Sequence, residues 1–224
     1  MTTPQFNIEW VGTPNQQTGR GGQKPIAIVN HITAGNFPGC LVWMQNRVAK
    51  GKPSAHYLVT RSGRILQMVK DEDTSYHAGE VKKPNLLLYK GTNPNRYTLG
   101  IEHEGFDGTL TEEQYQATLW LHRHLVKTWN IVPNYGTILG HYRIDSVNRS
   151  NCPGPRFPWE RLFSDLIQGG VKMAITEKEQ GYGEDAVKSL AKKGLVNNPE
   201  VWAKKMGEPV PNWLFFVMLD RIAK

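Results

Sequence analysis

Cysteine is scarce in this sequence, and no long hydrophobic run occurs. Only Cys40 and Cys152 are present among 224 residues, too few for a disulfide framework that a chain of this length does not need. Two alternatives are left open: a single disulfide bond between Cys40 and Cys152, or Cys40 as a small buried thiol. The longest apolar cluster, residues 213–219, falls far short of the ~20 residues that span a bilayer, so we expect no membrane span.

Two further signals are missing. The N-terminal residues lack the basic and apolar regions of a secretory signal, so we expect a protein made in the cytoplasm without a signal peptide. No nucleic-acid-binding motif and no dense Lys/Arg run occurs, which disfavours nucleic acid as a partner. The net charge of +7 and the pI of about 9.4 nevertheless suit a polyanion, such as an anionic membrane or cell wall.

The hydrophobic pattern predicts an α/β fold with a mixed central sheet flanked by helices. Residues 1–24 are polar and contain several glycines, so we expect them to be loosely structured. The predicted strands are residues 26–29, 55–60, 65–69 and 99–105, and the predicted helices are residues 41–50, 111–130 and 158–167. A turn at residues 61–64 makes the second and third strands a hairpin.

A small helical domain is predicted at the C-terminus. Gly169 and Gly170 mark the boundary between a domain of residues 1–168 and a domain of residues 169–224. The second domain contains three helix-like pieces: residues 184–193 before a glycine, a piece that starts at Asn198, and a piece that starts at Asn212.

His141 and Cys152 lie in one segment punctuated by glycine, proline and asparagine, which is typical of a loop. Neutral imidazole and thiolate are zinc ligands, and the best third donor is His31, expected just beyond the end of the first strand. Three protein ligands that leave a fourth position for water are typical of catalytic zinc. Taken singly, each residue also has a structural interpretation, as a hydrogen-bonded histidine or a buried thiol.

Hydrolysis at such a site requires a carboxylate that takes a proton from zinc-activated water and passes it to the leaving group. Glu102, on the predicted strand 99–105, is the candidate. Alternation along the strand places Glu104 on the same face and His103 on the other. Taken alone, Glu102 would be an edge-strand charge.

Six segments in order resemble the zinc-dependent N-acetylmuramoyl-L-alanine amidases of the type 2 family, which are related to peptidoglycan recognition proteins. The segments are residues 29–33, 54–59, 63–67, 77–79, 99–102 and 140–155. Any one of them is a weak signal, but six in the family's order are specific. The resemblance implies zinc ligands at His31, His141 and Cys152 and a catalytic glutamate at Glu102. A family branch that uses tyrosine does not match, since Ala55 occupies that position.

The resemblance also assigns residues around the metal. Many members have a lysine two residues before the last ligand, where it can stabilise an oxyanion; Ser150 occupies that position here, and either Ser150 or the adjacent Arg149 is the candidate replacement. His77 corresponds to a substrate-contacting histidine, with a loop histidine that fixes the chain as the alternative. The remaining histidines are expected in the core or behind the ligands (His56) or on helix and sheet surfaces (His103, His122 and His124).

The resemblance therefore implies a peptidoglycan hydrolase that cleaves the amide between N-acetylmuramic acid and L-alanine by zinc-activated water, as endolysins and autolysins do. A non-catalytic peptidoglycan-binding module is the alternative, and a structural zinc site, usually closed by four ligands, is another. We expect action on the cell wall after host lysis or passage through a pore. The C-terminal helices would bind anionic wall polymers, or would pack against the catalytic domain or in a dimer.

Overall fold

The computed structural model describes residues 6–48, 53–86, 88–168, 184–185, 187–189, 191–193 and 200. The chain divides into two compact units, Met1–Leu162 and Phe163–Lys224. In the second unit, helical residues at 184–185, 187–189 and 191–192 lie within the first predicted C-terminal helix. The boundary glycines, the piece from residue 212 and nearly all of the piece from residue 198 lie outside the described residues. The division into 1–168 and 169–224 stays a prediction.

Short strands and three helices make up the described chain as far as residue 168. The strands are β1 (Ile8–Trp10), β2 (Gln16–Gln17), β3 (Ala27–Ile32), β4 (Tyr57–Val59), β5 (Ile65–Gln67), β6 (Thr74–Ser75), β7 (Thr98–His103) and β8 (Ile138–Gly140), and the helices are α1 (Gly39–Met44), α2 (Glu112–Trp129) and α3 (Trp159–Gln168). Short 3-10 turns cover Pro94–Arg96 and His141–Arg143. Among the described helices, none combines the length and the apolarity that crossing a membrane requires.

A six-stranded sheet in the order β1-β5-β4-β7-β3-β8 forms the framework of the first unit. Strand β3 runs parallel to both β7 and β8, and β4 runs parallel to β7. Strand β5 runs antiparallel to β4, as the predicted hairpin requires, and β1 adds a parallel edge. The prediction of a mixed sheet with flanking helices is therefore confirmed.

Local sequence explains the two elements that the pattern identified best. Strands β3 and β7 lie between other strands, and the run Ala27–Val29 is completely buried, as expected for a strand covered on both faces. Helix α2 begins where Thr111 Oγ1 accepts a hydrogen bond from Gln114 N at 3.1 Å. It ends at Asn130, whose φ of +52° is the left-handed conformation that asparagine tolerates.

Several predicted boundaries are wrong. Strand β3 continues to Ile32, so His31 lies inside the strand, because pairing with β7 continues to that point. Helix α1 ends at Met44 instead of residue 50. The expected loose lead-in contains β1 and β2, and its Arg20 is buried, donating hydrogen bonds to the main-chain oxygens of Asp71 and Thr98 among others.

Two histidines predicted on surfaces are instead fully buried. His103 donates from Nδ1 to the His31 carbonyl at 2.9 Å, and His122 donates from Nδ1 to the carbonyl one helical turn earlier at 2.8 Å. The error arises because β7 is a central strand and because the inner face of α2 carries a few polar side chains among its apolar ones. His124 is exposed and His56 is in the core, as predicted.

Candidate metal centre and active site

Adjacent strands bring the first two predicted ligands together. Strands β3 and β8 pair in parallel with Asn30 opposite Gly140, so His31 and His141 follow this pair at the same end of the sheet. The loop after β8 then brings back Cys152, whose carbonyl accepts from Tyr142 N at 3.2 Å. Residues that are 110 and 121 positions away from His31 in the chain thus meet it in space.

The three candidate ligand atoms lie close enough together to hold one metal ion. The ligand atoms of His31, His141 and Cys152 all lie within 4.8 Å of one another. His31 Nδ1 is 3.1 Å from His141 Nδ1 and 3.9 Å from Cys152 Sγ. Tetrahedral zinc with ordinary Zn–N and Zn–S bonds implies separations of roughly 3.3–3.6 Å, which these distances bracket. Two imidazoles and one thiol therefore fit zinc and leave one coordination position for water.

Both histidines present Nδ1 to this point, because each Nε2 contacts a partner on its other side. His31 Nε2 is 3.0 Å from His77 Nδ1, and His141 Nε2 is 2.9 Å from the Ala78 carbonyl. Burial lowers the pKa of both imidazoles, and the proximity of His141 adds to the effect on His31. The two side chains are therefore neutral near pH 7, the form that binds a metal.

Cys152 is a free thiol, and so is Cys40, which removes the alternative of a disulfide between them. Burial raises the pKa of Cys152 to about 12, and the nearby Glu102 carboxylate contributes to the rise. A thiol in these surroundings becomes a thiolate only beside a compensating cation. The chemistry of the group therefore favours metal binding over a free nucleophilic cysteine.

Glu102 lies beside His31 at paired positions of the parallel strands β7 and β3. Its Oε2 atom is buried and has no hydrogen-bond partner among the described residues. Burial raises the pKa of Glu102 to about 8, and the positive charge of Arg149 partly opposes that rise. A carboxyl group with such a pKa can take up and release a proton near neutral pH.

One open cleft of about 960 Å³ connects these groups. Its lining includes every residue that the sequence singled out for the site: His31, His77, Glu102, His141, Arg149, Ser150 and Cys152. Two exposed aromatic side chains, Trp43 and Phe106, line it as well. Aromatic side chains around a few convergent polar groups are typical of a substrate site.

The two candidates for the oxyanion role differ in their surroundings. Arg149 and Ser150 are both exposed, at the end of a loop shaped by Asp145, whose Oδ1 accepts from Val147 N and Asn148 N at 3.1 and 2.8 Å. The positive charge of Arg149 lowers the pKa of Glu102, which shows that this charge acts on the buried end of the cleft. The oxyanion role stays a prediction, and Arg149 is the better placed of the two.

A family model described as N-acetylmuramoyl-L-alanine amidase matches residues 21–155, which include the whole lining of this cleft. The chain belongs to this amidase family. The resemblance predicted from the six sequence segments is therefore confirmed.

Relatives of this amidase have related names. The chain is 29% identical over 164 residues to N-acetylmuramoyl-L-alanine amidase A of Achromobacter lyticus, a match that covers 64% of this chain and 84% of that protein. It is 34% identical over 117 residues to the 1,6-anhydro-N-acetylmuramyl-L-alanine amidase AmpD of Salmonella typhimurium, covering 51% of this chain but only 58% of AmpD. The crystal structure of a selenomethionine AmpD derivative matches with a TM-score of 0.57 at 26% identity, covering 70% of this chain and 93% of that one.

Sequence reasoning missed the residues behind the histidine ligands of this amidase. Asn95, in the 3-10 turn Pro94–Arg96, accepts a hydrogen bond from Ala78 N. Thr98, in β7, contacts His77, and the Ala78 carbonyl, in the loop before the turn, contacts His141. The Asn93–Pro94 dipeptide is a turn signal, and Asn93 Oδ1 does accept from Asn95 N at 3.0 Å. That signal locates the turn in the sequence, but it carries no information about contact with the metal site.

Proposed function

We propose that this protein hydrolyses the amide bond between N-acetylmuramic acid and L-alanine in peptidoglycan, with zinc held by His31, His141 and Cys152. The coarser statement, an amidase enzyme that acts on peptidoglycan, follows from family membership. The observation that supports the finer proposal is the convergence of the three candidate ligand atoms beside a buried carboxylate oxygen of Glu102 that has no hydrogen-bond partner among the described residues.

When bound, zinc supplies a Lewis acid for the scissile carbonyl and lowers the pKa of a water molecule toward 7. The chain contributes two neutral imidazoles and, once deprotonated, one thiolate, so a divalent cation retains a net positive charge for this chemistry. The cleft contributes the positioning, since its walls hold the substrate amide next to the ligand cluster.

Glu102 is the proton carrier in this proposal. Its buried Oε2 accepts the proton that the attacking water loses, and the same carboxyl group then donates that proton to the departing L-alanine nitrogen. Burial raises the pKa of Glu102 and so favours the protonated carboxyl that the second step needs, whereas the charge of a bound zinc ion would favour the carboxylate that the first step needs.

Arg149 stabilises the negative charge that develops on the carbonyl oxygen as water adds. Arg149 lines the cleft and provides donors and a positive charge next to Ser150, the position where many family members have a lysine. Ser150 provides a hydroxyl donor as the alternative. Truncation of the residue that has this role will lower the turnover rate more than the affinity for substrate.

Purified protein incubated with peptidoglycan tests the proposal. Zinc-loaded wild type should release new L-alanine amino termini, a chelator should abolish the release, and Glu102→Ala should lower the rate by at least about 100-fold with zinc still bound. Glu113→Ala, which removes an exposed carboxylate at the start of α2, is the matched control and should cut as wild type does.

Each other outcome has a definite meaning. Equal cutting by wild type and Glu102→Ala would dismiss Glu102 as the proton carrier. Wall binding without cutting by any variant would favour the non-catalytic binding module. Cutting that persists after removal of every metal ion would overturn the zinc mechanism.

Action on the cell wall, as an endolysin or an autolysin, completes the proposal. The net charge of +7 supports attraction of the protein to anionic wall polymers. In this proposal the C-terminal residues contribute to that binding. Electrostatic attraction of this kind weakens as salt screens the charges, so wall binding should fall steeply with ionic strength.

A further inference from the structure

We propose that His77 and Ala78, held in place by Asn95, are positioning residues that fix the tautomer and orientation of both histidine ligands. The proposal rests on the metal site of the proposed function. It assigns His77 a role other than the substrate contact that the family resemblance implied.

A chain of hydrogen bonds with only one consistent direction runs from the protein interior to His31. Thr98 Oγ1 donates to the Pro94 carbonyl at 2.7 Å, because a carbonyl oxygen can only accept. Thr98 Oγ1 therefore accepts from His77 Nε2–H at 3.0 Å. The proton on Nε2 leaves His77 Nδ1 as an acceptor, which takes the bond from His31 Nε2–H at 3.0 Å. His31 Nδ1 consequently carries the lone pair that faces His141 and Cys152.

The second ligand is oriented from the adjacent residue. His141 Nε2–H donates to the Ala78 carbonyl at 2.9 Å, and this leaves His141 Nδ1 as the ligand atom. Two consecutive residues of one loop thus set the tautomers of two candidate ligands, one in β3 and the other directly after β8. Outer partners of this kind make the imidazole more basic and stop its ring from turning.

The loop itself is held by Asn95. Its Oδ1 accepts from both His77 N, at 3.1 Å, and Ala78 N, at 2.7 Å. The His77 ring also packs on β7 where Gly100 has no side chain: a Cβ there would lie 2.5 Å from His77 Cγ. The ring is therefore located by the strand beneath it as well as by its hydrogen bonds.

The same contacts leave no free nitrogen on His77. Nδ1 is engaged with His31 and Nε2 with Thr98, and the residue is only 6% exposed. A substrate group could bind this imidazole only by displacing one of the two bonds. The geometry thus favours a role behind the metal over one in front of it.

A pair of variants at one position separates the hydrogen bond from the shape of the side chain. In His77→Asn, the amide oxygen lies close to the position of Nδ1 and still accepts from His31, whereas His77→Leu has similar size and no acceptor. Zinc affinity, measured by competition with a chelator of known affinity, should fall about 10- to 100-fold in His77→Leu and much less in His77→Asn. Thr98→Val and Thr98→Ser repeat the comparison one hydrogen bond further from the metal site. Zinc affinity should fall in Thr98→Val, by less than in His77→Leu, and should not fall in Thr98→Ser.

Nitrogen NMR of the metal-free protein gives a readout that does not depend on zinc or on activity. In the wild type and His77→Asn, His31 should be a single tautomer with its proton on Nε2. In His77→Leu, the signals should show a mixture of tautomers, while the thermal unfolding midpoint of the metal-free variant establishes that it is folded. Should His77→Leu fail to fold, the Thr98 pair decides by the same two measurements.

The outcomes keep the two proposals apart. Wild-type zinc affinity and a single His31 tautomer in folded His77→Leu, with slower cutting, would overturn the positioning role and support substrate contact. A reduced zinc affinity in His77→Leu supports the positioning role even if no variant cuts peptidoglycan, a result that would overturn only the proposed reaction. A wild type that binds no zinc would overturn both.

Discussion

Two carboxylates near the end of β7 show how neighbouring residues of the same type acquire different functions. Glu104 accepts hydrogen bonds from Phe37 N at 2.9 Å and Arg61 N at 2.7 Å, so its charge ties two loops to the strand. Within the part of the chain that the structure describes, Glu102 Oε2 has no such partner, and Glu102 lines the cleft. A sequence pattern that places both on one face cannot distinguish a structural carboxylate from a reactive one, because the difference depends on which loops pack nearby.

The raised pKa of Glu102 predicts a stability effect in metal-free protein. The pKa is about 8 when folded against 4.5 for the ordinary side chain, so between these values the folded protein keeps a proton that the unfolded chain has released. Stability therefore falls as pH rises through this window. We expect Glu102→Gln to lie within about 1 kcal/mol of wild type near pH 5 and to gain roughly 4 kcal/mol on it between pH 5 and pH 9, since each pKa unit corresponds to about 1.4 kcal/mol.

Chemical denaturation in excess chelator at several pH values measures this difference. Buried histidines affect both proteins equally, so they cancel in the comparison. A difference between variant and wild type that stays constant across the pH range would contradict the raised pKa.

Cys152 should be replaceable by another residue whose side chain binds zinc as an anion. Cys152→Asp provides an anionic oxygen ligand, so we expect one zinc ion per chain to be retained, whereas Cys152→Ala should weaken zinc binding by more than about 100-fold. Zinc content by atomic spectroscopy and affinity by chelator competition check this. Cys40→Ala is the control, since Cys40 is not part of the candidate ligand cluster. If Cys40→Ala lost zinc while Cys152→Ala retained it, the assignment of Cys152 as a ligand would be refuted.

At the scale of elements, close backbone packing positions the loop that carries Cys152. Gly154 has a φ of +119°, and a Cβ at this position would lie 2.2 Å from the carbonyl carbon of Asp107. The segment is also joined by a hydrogen bond from Arg156 N to the Asp107 carbonyl at 3.1 Å. A side chain at Gly154 would therefore force the loop away from its neighbour, and Cys152 would move with it.

Gly154→Ala tests this packing. We expect a loss of about 2–4 kcal/mol in the free energy of unfolding, because the substitution combines a backbone clash with an unfavourable φ, and a parallel loss of zinc affinity. Gly39→Ala at the start of α1 meets no atom within 4 Å and should change stability by no more than about 1 kcal/mol. Equal stability of the two variants in denaturant titrations would contradict the account of the loop.

Elements with a strong local signal were predicted well, and those defined by pairing were not. Helix α2 has a threonine cap and an apolar face, and its limits agree with the sequence. Strand β3 ends three residues later than predicted and β1 was missed, because their limits depend on partners that are distant in the chain. Burial of His103 and His122 was missed for the same reason, since it follows from what covers them.

At the scale of the whole molecule, the predicted division into residues 1–168 and 169–224 can be tested by truncation. The six sheet strands and the complete ligand cluster lie before residue 168, so residues 1–168 should hydrolyse a small soluble muropeptide at a rate within about 3-fold of the full chain. Removing the C-terminal residues should reduce sedimentation of the protein with intact cell walls.

The same truncation distinguishes the two expected roles of the C-terminal residues. An unfolded or inactive truncated protein would indicate that these residues stabilise the catalytic domain. Unchanged wall binding with full activity would show that recognition of the wall lies within residues 1–168.

The sequence by itself determined which residues are candidates for the site, because the motifs occur in the family's order and zinc chemistry restricts possible ligands to a few side chains. It also determined α2, whose cap and periodicity are local. Only the tertiary structure decided that His31 and His141 present Nδ1 to one point, that Glu102 Oε2 has no hydrogen-bond partner among the described residues, and that His77 contacts His31 on the side away from that point. These properties depend on strand register and on hydrogen bonds between residues tens of positions apart, which no local pattern encodes.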